Sequence, residues 1–338
     1  MCRWGVGLRH RISYQRTLEG RGPVEPSRQP STCRRYLSGV TTPLHDDEQD
    51  TSGEVARTLL QRQAPKLAGL PLTPLSNTGS DNTLYKLGPD LVVRLPRFPD
   101  AARRLSVELD WLPRLTNLPV AVPSITHAGS PGEVYPFRWA VLRWLDGIDA
   151  WEARHQHGWF GPDLGLDLAA VVQQLRVTAA VDAPTREPGE RGGPLRPLDD
   201  RMHWWLEQAD GLVDAQAILR LWDQCLEGAD DSVAPVLLHG DLIPGNLVLA
   251  AGRLTAVLDW GGLGAGDPAQ NLDPAWSVLD EAGAATFREA LDVDDASWLR
   301  ARGFALEQAI GGIIHYTPRR HPLGAVMQRT LERPLSGP

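Results

Sequence analysis

The sequence predicts an α+β fold in two lobes, in which a small antiparallel sheet is followed by a larger helical lobe. Three observations lead to this prediction, and the first is that 338 residues fit two lobes better than one compact core. Residues 70–145 alternate short apolar runs with polar turns, as strands do. After residue 146 the apolar residues recur mostly with helical spacing. We therefore expect the two lobes to span residues 45–145 and 146–338.

Residues 1–44 differ from the rest of the chain. They contain eight arginines and two glutamates, a net charge of +6, whereas the remaining residues carry −14. They show no sustained apolar period, so we expect a disordered extension or a stretch that precedes the true start. An arginine-rich, acid-poor composition is also typical of organelle transit peptides, and that alternative stays open.

Composition and charge indicate which binding partners and which cellular compartment to expect. The acidic body argues against nucleic acid as the main partner and tolerates a cationic small molecule. No stretch approaches the roughly 20 apolar residues that span a bilayer, so we expect no membrane association. The three cysteines form neither a zinc-ligand pattern nor an even disulfide framework, which favours the reducing cytoplasm. Nothing in the composition determines the oligomeric state.

The N-terminal lobe is predicted to begin with a helix and three strands. Ser52 is a plausible N-cap of the first helix. Residues 72–95 have the pattern strand, polar loop, strand, turn, strand. We expect Asp100 to cap a second helix that runs to about Leu115. The remaining strands of this lobe are expected at residues 124–129 and 139–144.

The C-terminal lobe is predicted to be mostly helical. Leu164, Leu168 and Leu175 share one face of a helix, and a loop at residues 182–197 interrupts the pattern. Between the later helices lies a short strand-rich segment, residues 236–260. Further helices are expected at residues 199–209, 212–227, 284–292, 296–315 and 321–332.

The strand-rich segment contains a predicted hairpin with polar residues at its mouth. Residues 247–249 and 254–258 are strand-like runs around a turn. If the turn is centred between residues 252 and 253, opposed residue numbers add to about 505, so Asn246 should face Asp259 at a Cα distance of roughly 4.5–5.5 Å. An amide oxygen and a carboxylate at that distance can share a hard cation such as Mg²⁺.

Asp241 lies on the loop that enters this hairpin and can reach the same place. Taken singly, these aspartates and asparagines could be ordinary turn and capping residues. Three oxygen-bearing side chains that converge beside a glycine-rich stretch favour a functional site.

The segment "HGDLIPGN", which ends at Asn246, is followed thirteen residues later by "DWGG". This pattern resembles the aminoglycoside phosphotransferase family, which shares the protein-kinase-like fold and is similar to choline kinases. The resemblance runs over residues 52–332. It implies Mg²⁺-dependent transfer of the γ-phosphate of ATP, or of GTP, to a hydroxyl of a small molecule, such as an aminoglycoside or another antibiotic. The alternative is a catalytically weak or silent nucleotide-binding protein on the same fold.

The resemblance also implies roles for single residues. Asp241 would orient the acceptor hydroxyl and accept its proton, and His239 would brace the catalytic loop. A lone histidine could instead be a core residue or a metal ligand, but no second histidine has ligand spacing. Asn246 and Asp259 would hold Mg²⁺ against the nucleotide phosphates. The N-terminal lobe would bind the nucleotide, and the C-terminal lobe would hold the catalytic and substrate sites.

In the N-terminal lobe, the resemblance places the nucleotide-covering loop at "SNTGSDN", although a plain polar hairpin loop is an alternative reading. Arg94, in "VVRLP", stands where kinases have a phosphate-binding lysine. Glu108 falls within the apolar stripe of the following helix, so it needs a cation, and Arg94 is the implied partner; otherwise Glu108 would point to water. The expected loop contacts are Thr78, Gly79, Ser80, Asp81 and Asn82.

One departure from the family pattern concerns Asn271. The family usually has GDPAxDL, whose second aspartate supports the catalytic loop, whereas this chain has Asn271 there and keeps Asp267. The resemblance predicts that an Asn271→Asp change gives equal or higher turnover. The partner it implies is a small hydroxylated substrate, and the acidic body suggests a cation.

Overall fold

The computed structural model describes residues 48–75, 81–209 and 211–336, all of which belong to one compact unit of the chain. The predicted extension over residues 1–44 lies outside the described residues. Within the described ranges, no helix combines the length and the apolar character needed to cross a membrane.

The N-terminal lobe is a five-stranded antiparallel sheet with the order β1-β2-β3-β5-β4. Its first helix packs against the sheet through Leu59 and Leu60, which are buried together with Val93 and Trp139. Ser52 caps that helix, as predicted, because its side chain accepts from the Val55 N–H. The elements are α1 (Gly53–Gln63), β1 (Leu72–Pro74), β2 (Asn82–Leu87), β3 (Leu91–Pro96), α2 (Pro99–Trp111), β4 (Ile125–Gly129) and β5 (Trp139–Arg143).

The predicted cap of α2 is wrong. Helix α2 begins at Pro99, its N-cap is Phe98, and no side chain caps it. A proline fits the first helical position because its φ angle is already helical and its missing N–H is not needed there. Asp100 therefore lies inside the first turn, where it pairs with Arg103 at 2.8 Å. A 3₁₀ turn, Leu112–Arg114, extends the helix close to the predicted end.

The C-terminal lobe is mainly helical, as predicted. Helix α3 (Ala150–His157) was not predicted, because the segment has no apolar stripe. Asp149 caps this helix by accepting a hydrogen bond from the Glu152 N–H at 2.8 Å. Helix α9 has 22 residues, and half of them are buried. The helices are α3 (Ala150–His157), α4 (Pro162–Val177), α5 (Asp199–Gln208), α6 (Ala215–Glu227), α7 (Pro274–Ser277), α8 (Glu281–Ala290), α9 (Asp295–Tyr316) and α10 (Pro322–Ser336).

Two small sheets carry the strand-rich segment. One has the order β6-β8-β9, and the other pairs β7 with β10. The 3₁₀ turn Pro244–Asn246 leads into β8. The strands are β6 (Ile148–Asp149), β7 (Val236–Leu238), β8 (Leu247–Ala250), β9 (Arg253–Val257) and β10 (Gly264–Gly266).

The hairpin register differs from the prediction by one residue. Leu247 pairs with Val257, and the Leu258 N–H donates to the Asn246 carbonyl at 2.8 Å. Asn246 therefore lies opposite Leu258, and the predicted facing of Asn246 and Asp259 is wrong. The cause is the position of the turn: Ala250 pairs with Arg253, so the turn is centred between residues 251 and 252, one residue earlier than predicted. An irregularity between Val248 and Leu249 then brings the pairing at the mouth of the hairpin partly back toward the predicted register.

Candidate active site

Two backbone segments meet at the mouth of the hairpin. Gly240 precedes Asp241 and has a φ of 82°. A Cβ atom at Gly240 would overlap the carbonyl oxygen of Gly262, which belongs to the turn that follows Asp259. Only glycine combines this φ with this close approach. The contact brings the loop of Asp241 against the turn that follows Asp259.

The buried His239 ring forms hydrogen bonds to the backbone of Asp241 and of Leu258, and so links these segments. The ring is fully buried, and its Nδ1 accepts from the Asp241 N–H at 3.2 Å. The other ring nitrogen, Nε2, therefore carries the hydrogen and donates to the Leu258 carbonyl at 3.0 Å. Burial lowers the pKa of His239 to about 4, so the ring is neutral at pH 7.

Asn271 supports the same loop through hydrogen bonds to the backbone that leads into it. Its Oδ1 accepts from the His239 N–H at 3.0 Å, and its Nδ2 donates to the Leu237 carbonyl at 3.0 Å. The side chain thus uses both an acceptor and a donor. Asp267 caps the 3₁₀ helix Pro268–Leu272 and pairs with Arg300 at 2.7 Å, with both side chains buried.

The Asp241 carboxylate is held at both oxygens. Oδ2 accepts from Asn246 Nδ2 at 3.0 Å, and Oδ1 accepts from Gln308 Nε2 at 3.1 Å. Burial raises the pKa of Asp241 to about 6, and the nearby carboxylate of Asp259 adds to the effect. The sequence reasoning missed Gln308. The available signal was an amide among the apolar residues of α9.

Arg94 joins the two lobes electrostatically. Its Nη1 donates to Glu108 Oε2 at 2.6 Å, which is the predicted pair, and Glu108 is fully buried. Its Nη2 donates to Asp259 Oδ1 at 2.7 Å, a contact that was not predicted. With its amide oriented so that Oδ1 faces the guanidinium, Asn82 accepts from Arg94 Nε at 3.2 Å. Burial alone would raise the pKa of Asp259, but the charge and hydrogen bond of Arg94, together with the nearby charge of Arg104, lower it below its usual value.

The predicted nucleotide-covering loop is only partly described. Thr78, Gly79 and Ser80 lie outside the described residues. Asp81, which follows them, accepts from Arg104 Nη1 at 2.7 Å. Of the predicted loop residues, the structure thus brings Asp81 and Asn82 to arginines of the site.

The oxygen donors at the hairpin mouth fit a Mg²⁺ ion. Asp259 Oδ2 and Asn246 Oδ1 receive no hydrogen bond from the described residues, while the other polar atom of each side chain is engaged. Mg²⁺ typically takes one or two carboxylates and completes its shell with phosphates and water, so two protein donors suffice. The described ranges contain no cluster of three His, Cys, Asp or Glu that could hold a metal.

Comparisons with known proteins identify the family. The sequence model of the phosphotransferase enzyme family matches residues 71–304. A search of curated proteins by sequence gives no significant match.

Solved structures show the fold. The GDP complex of aminoglycoside 2'-phosphotransferase-IIIa aligns with a TM-score of 0.63 at 17% identity, over 83% of this chain and 97% of that one. Macrolide 2'-phosphotransferase type I aligns with a TM-score of 0.57 at 18% identity, over 84% and 98%. Macrolide 2'-phosphotransferase MphH from Brachybacterium faecium aligns with a TM-score of 0.53 at 21% identity, over 84% and 99%.

These alignments confirm the predicted two-lobed α+β fold of the protein-kinase-like type. The family match covers more than half of the chain and includes the whole segment from the Gly240 loop to the turn after Asp259. The chain belongs to the phosphotransferase enzyme family.

Proposed function

We propose that the protein is a Mg²⁺-dependent kinase that transfers the γ-phosphoryl group of ATP or GTP to a hydroxyl of a small molecule. The observation that carries this proposal is the convergence of Asp241, Asp259 and Arg94 from three separate segments. Phosphoryl transfer requires mainly positioning and neutralisation of charge, and these residues supply a base, a metal ligand and a cation.

Asp241 would orient the acceptor hydroxyl and accept its proton. The hydrogen bonds from Asn246 and Gln308 fix its carboxylate in one orientation. A pKa of about 6 leaves it mostly ionised at pH 7 and still close to the operating pH, as suits a general base. His239 would act through Asp241 as a positioning residue, because its ring is fully buried and both ring nitrogens are hydrogen-bonded to the backbone.

Asn246 and Asp259 would hold Mg²⁺, which would neutralise charge on the nucleotide phosphates. Arg94 would orient Asp259 and add positive charge behind it. In this proposal residues 45–145 form the nucleotide-binding lobe and residues 146–338 the catalytic and substrate lobe.

The relatives support a nucleotide and a small hydroxylated acceptor. Related structures hold GDP with kanamycin, ADP, or ATP with streptomycin. We extend this class to the present chain, with an amine-bearing or neutral acceptor as candidates because the body is acidic. The buried free thiol of Cys225 suits the reducing cytoplasm, where we place the reaction.

The test combines a screen with two variants. Nucleotide consumption is measured with Mg²⁺ over a panel of hydroxylated metabolites and antibiotics. Calorimetry then measures binding of a non-hydrolysable nucleotide, with and without Mg²⁺, to the Asp241→Ala and Asp259→Ala variants. Asp223→Ala, an exposed aspartate on α6, is the matched control.

Asp241→Ala should keep Mg²⁺-dependent nucleotide binding while turnover falls by orders of magnitude, since its role lies in the transition state. Asp259→Ala should weaken Mg²⁺-dependent binding as well. If Asp241→Ala loses this binding and Asp259→Ala keeps it, the assignment is reversed. Nucleotide binding without turnover of any acceptor would instead indicate a silent nucleotide-binding protein.

A further inference from the structure

Arg104 lies on α2, one helical turn before Glu108, and its side chain reaches the same cleft. We propose that Arg104 binds the terminal phosphate of the nucleoside triphosphate. The inference rests on the proposed function, because it assumes that a triphosphate lies in this cleft.

Helix α2 approaches the site closely at Gly261. A Cβ atom at Gly261 would lie 2.9 Å from Arg104 Cβ and 3.3 Å from the Arg104 carbonyl, so a larger residue would push the helix away. The Trp260 N–H also donates to Glu108 Oε1 at 3.4 Å. Helix α2 is thus docked against the turn that follows Asp259, and Gly261 permits this approach.

Carboxylates surround the Arg104 guanidinium. Arg104 Nη1 pairs with Asp81 at 2.7 Å, and the carboxylates of Asp241 and Asp259 are also within electrostatic reach. Burial alone would lower the pKa of Arg104, but these carboxylates outweigh it and raise the pKa. The charge of Arg104 therefore acts on both the proposed base and the proposed metal ligand, and the transferred phosphoryl group must pass between them.

Arg104 and Arg94 differ in how many of their hydrogen-bond donors are engaged by protein groups. The Arg94 side chain is only 9% exposed, and its nitrogens are engaged by Glu108, Asp259 and Asn82. The Arg104 side chain is 50% exposed, and a guanidinium has five N–H donors, of which the Asp81 contact uses one nitrogen. Arg104 is thus the arginine of the two with donors available to a phosphate, whereas Arg94 is committed to protein carboxylates.

A simpler role for Arg104 would be that of a latch, meaning that its ion pair holds Asp81 in place at the end of the predicted nucleotide-covering loop. The two roles predict different selectivity. A contact with the terminal phosphate affects triphosphate binding and spares diphosphate binding, whereas a latch on Asp81 affects both. Removing Asp81 should then reproduce the loss of Arg104 only if the latch is the whole role.

The experiment measures affinity by calorimetry for a non-hydrolysable ATP or GTP analogue and for the matching diphosphate, each with Mg²⁺. The variants are Arg104→Met, which keeps the stem of the side chain, Arg104→Lys and Asp81→Asn. Arg103→Met is the matched control, because Arg103 is the neighbouring exposed arginine of α2 and pairs with Asp100 at the surface.

We expect Arg104→Met to weaken triphosphate binding about tenfold or more, as for the loss of a charge-assisted hydrogen bond, and diphosphate binding less than about threefold. Arg104→Lys should lose less triphosphate affinity than Arg104→Met and should likewise spare diphosphate binding. If Arg104→Met does not fold, Arg104→Lys replaces it in the test. Asp81→Asn should leave triphosphate binding equal or tighter, and Arg103→Met should change neither affinity.

The inference would be overturned if the Arg104 variants lost both affinities equally or lost neither. It would also be overturned if Asp81→Asn lost as much triphosphate affinity as Arg104→Met. In each of these cases the proposed function would still stand. If the wild-type protein binds neither nucleotide, the proposed function fails and this inference with it.

Discussion

Replacing Asn271 by aspartate tests how the catalytic loop is supported. The family pattern led us to expect equal or higher turnover, but the structure leads us to expect the opposite. A carboxylate can still accept from the His239 N–H, but when ionised it cannot donate to the Leu237 carbonyl. Both contacts are buried, so water cannot replace the missing donor.

The size of the effect follows from this geometry. A buried carbonyl left unpaired costs about 1–3 kcal/mol. The loss of unfolding free energy at pH 7 has an upper limit. The introduced carboxyl group can bind a proton and then donate a hydrogen bond to the Leu237 carbonyl, as the amide did. Its pKa would then have risen from about 3.9 to about 7, which corresponds to about 4 kcal/mol. We therefore expect Asn271→Asp to lower the free energy of unfolding by about 1–4 kcal/mol at neutral pH.

The loss should depend on pH in a defined direction. A carboxyl group whose pKa is raised in the folded state binds more protons when folded, so stability falls as pH rises from the unfolded pKa to the folded one. The deficit should be small below about pH 4 and complete above the raised pKa. Asn271→Ala loses both hydrogen bonds and introduces no titrating group, so its deficit should be independent of pH.

Urea denaturation of the wild type and both variants at pH 5 and pH 8 measures these differences, because the other titrating groups cancel between proteins. Turnover of Asn271→Asp at pH 8 should be lower than wild type. An Asn271→Asp variant that equals the wild type in stability and turnover at pH 8 would refute the reasoning, since the Nδ2 donor would then be dispensable.

Three further predictions concern single residues. Gly240→Ala should abolish turnover and lower the melting temperature, because the new Cβ would overlap the Gly262 carbonyl at a positive φ; a soluble variant with wild-type turnover would contradict this. Glu108→Ala should lower the free energy of unfolding by about 3–5 kcal/mol, because it leaves Arg94 Nη1 buried without an acceptor, and Glu108→Gln by less, because the amide oxygen of glutamine can still accept from Nη1. Burial raises the pKa of the Cys225 thiol to about 12, so peptide mapping should find it alkylated only after unfolding, and rapid labelling of the folded protein would count against this.

Local pattern predicted most of the fold. The strands of the sheet and the later helices lie within a few residues of their predicted places, since apolar periodicity reports directly which side chains are buried. The α2 cap was missed because Pro99 favours an earlier start than the capping rule gives to Asp100. The register at Asn246 was missed because the turn is formed by Ala251 and Gly252 alone, so that its centre lies one residue earlier than predicted from the run Ala251-Gly252-Arg253.

The site was predictable where its residues lie close together in sequence. Asp241, Asn246 and Asp259 belong to one short motif, and the geometry brings them together despite the register error. Gln308 and Arg104 contact the site from α9 and α2, and only the packing of those helices brings them there. No spacing rule connects residues 67 positions apart, as Asp241 and Gln308 are.

Arginine rather than lysine at position 94 has a practical consequence for finding this protein in cell extracts. Reagents that profile nucleotide-binding enzymes commonly acylate a lysine amine beside the phosphates. This chain has only two lysines, Lys66 and Lys86, and neither contacts Asp241, Asp259 or Glu108 in the part of the chain that the structure describes. Surveys based on amine chemistry should therefore overlook it even when its cleft is occupied. Dicarbonyl reagents, which modify guanidinium groups, with protection by nucleotide as the readout, would suit this protein better.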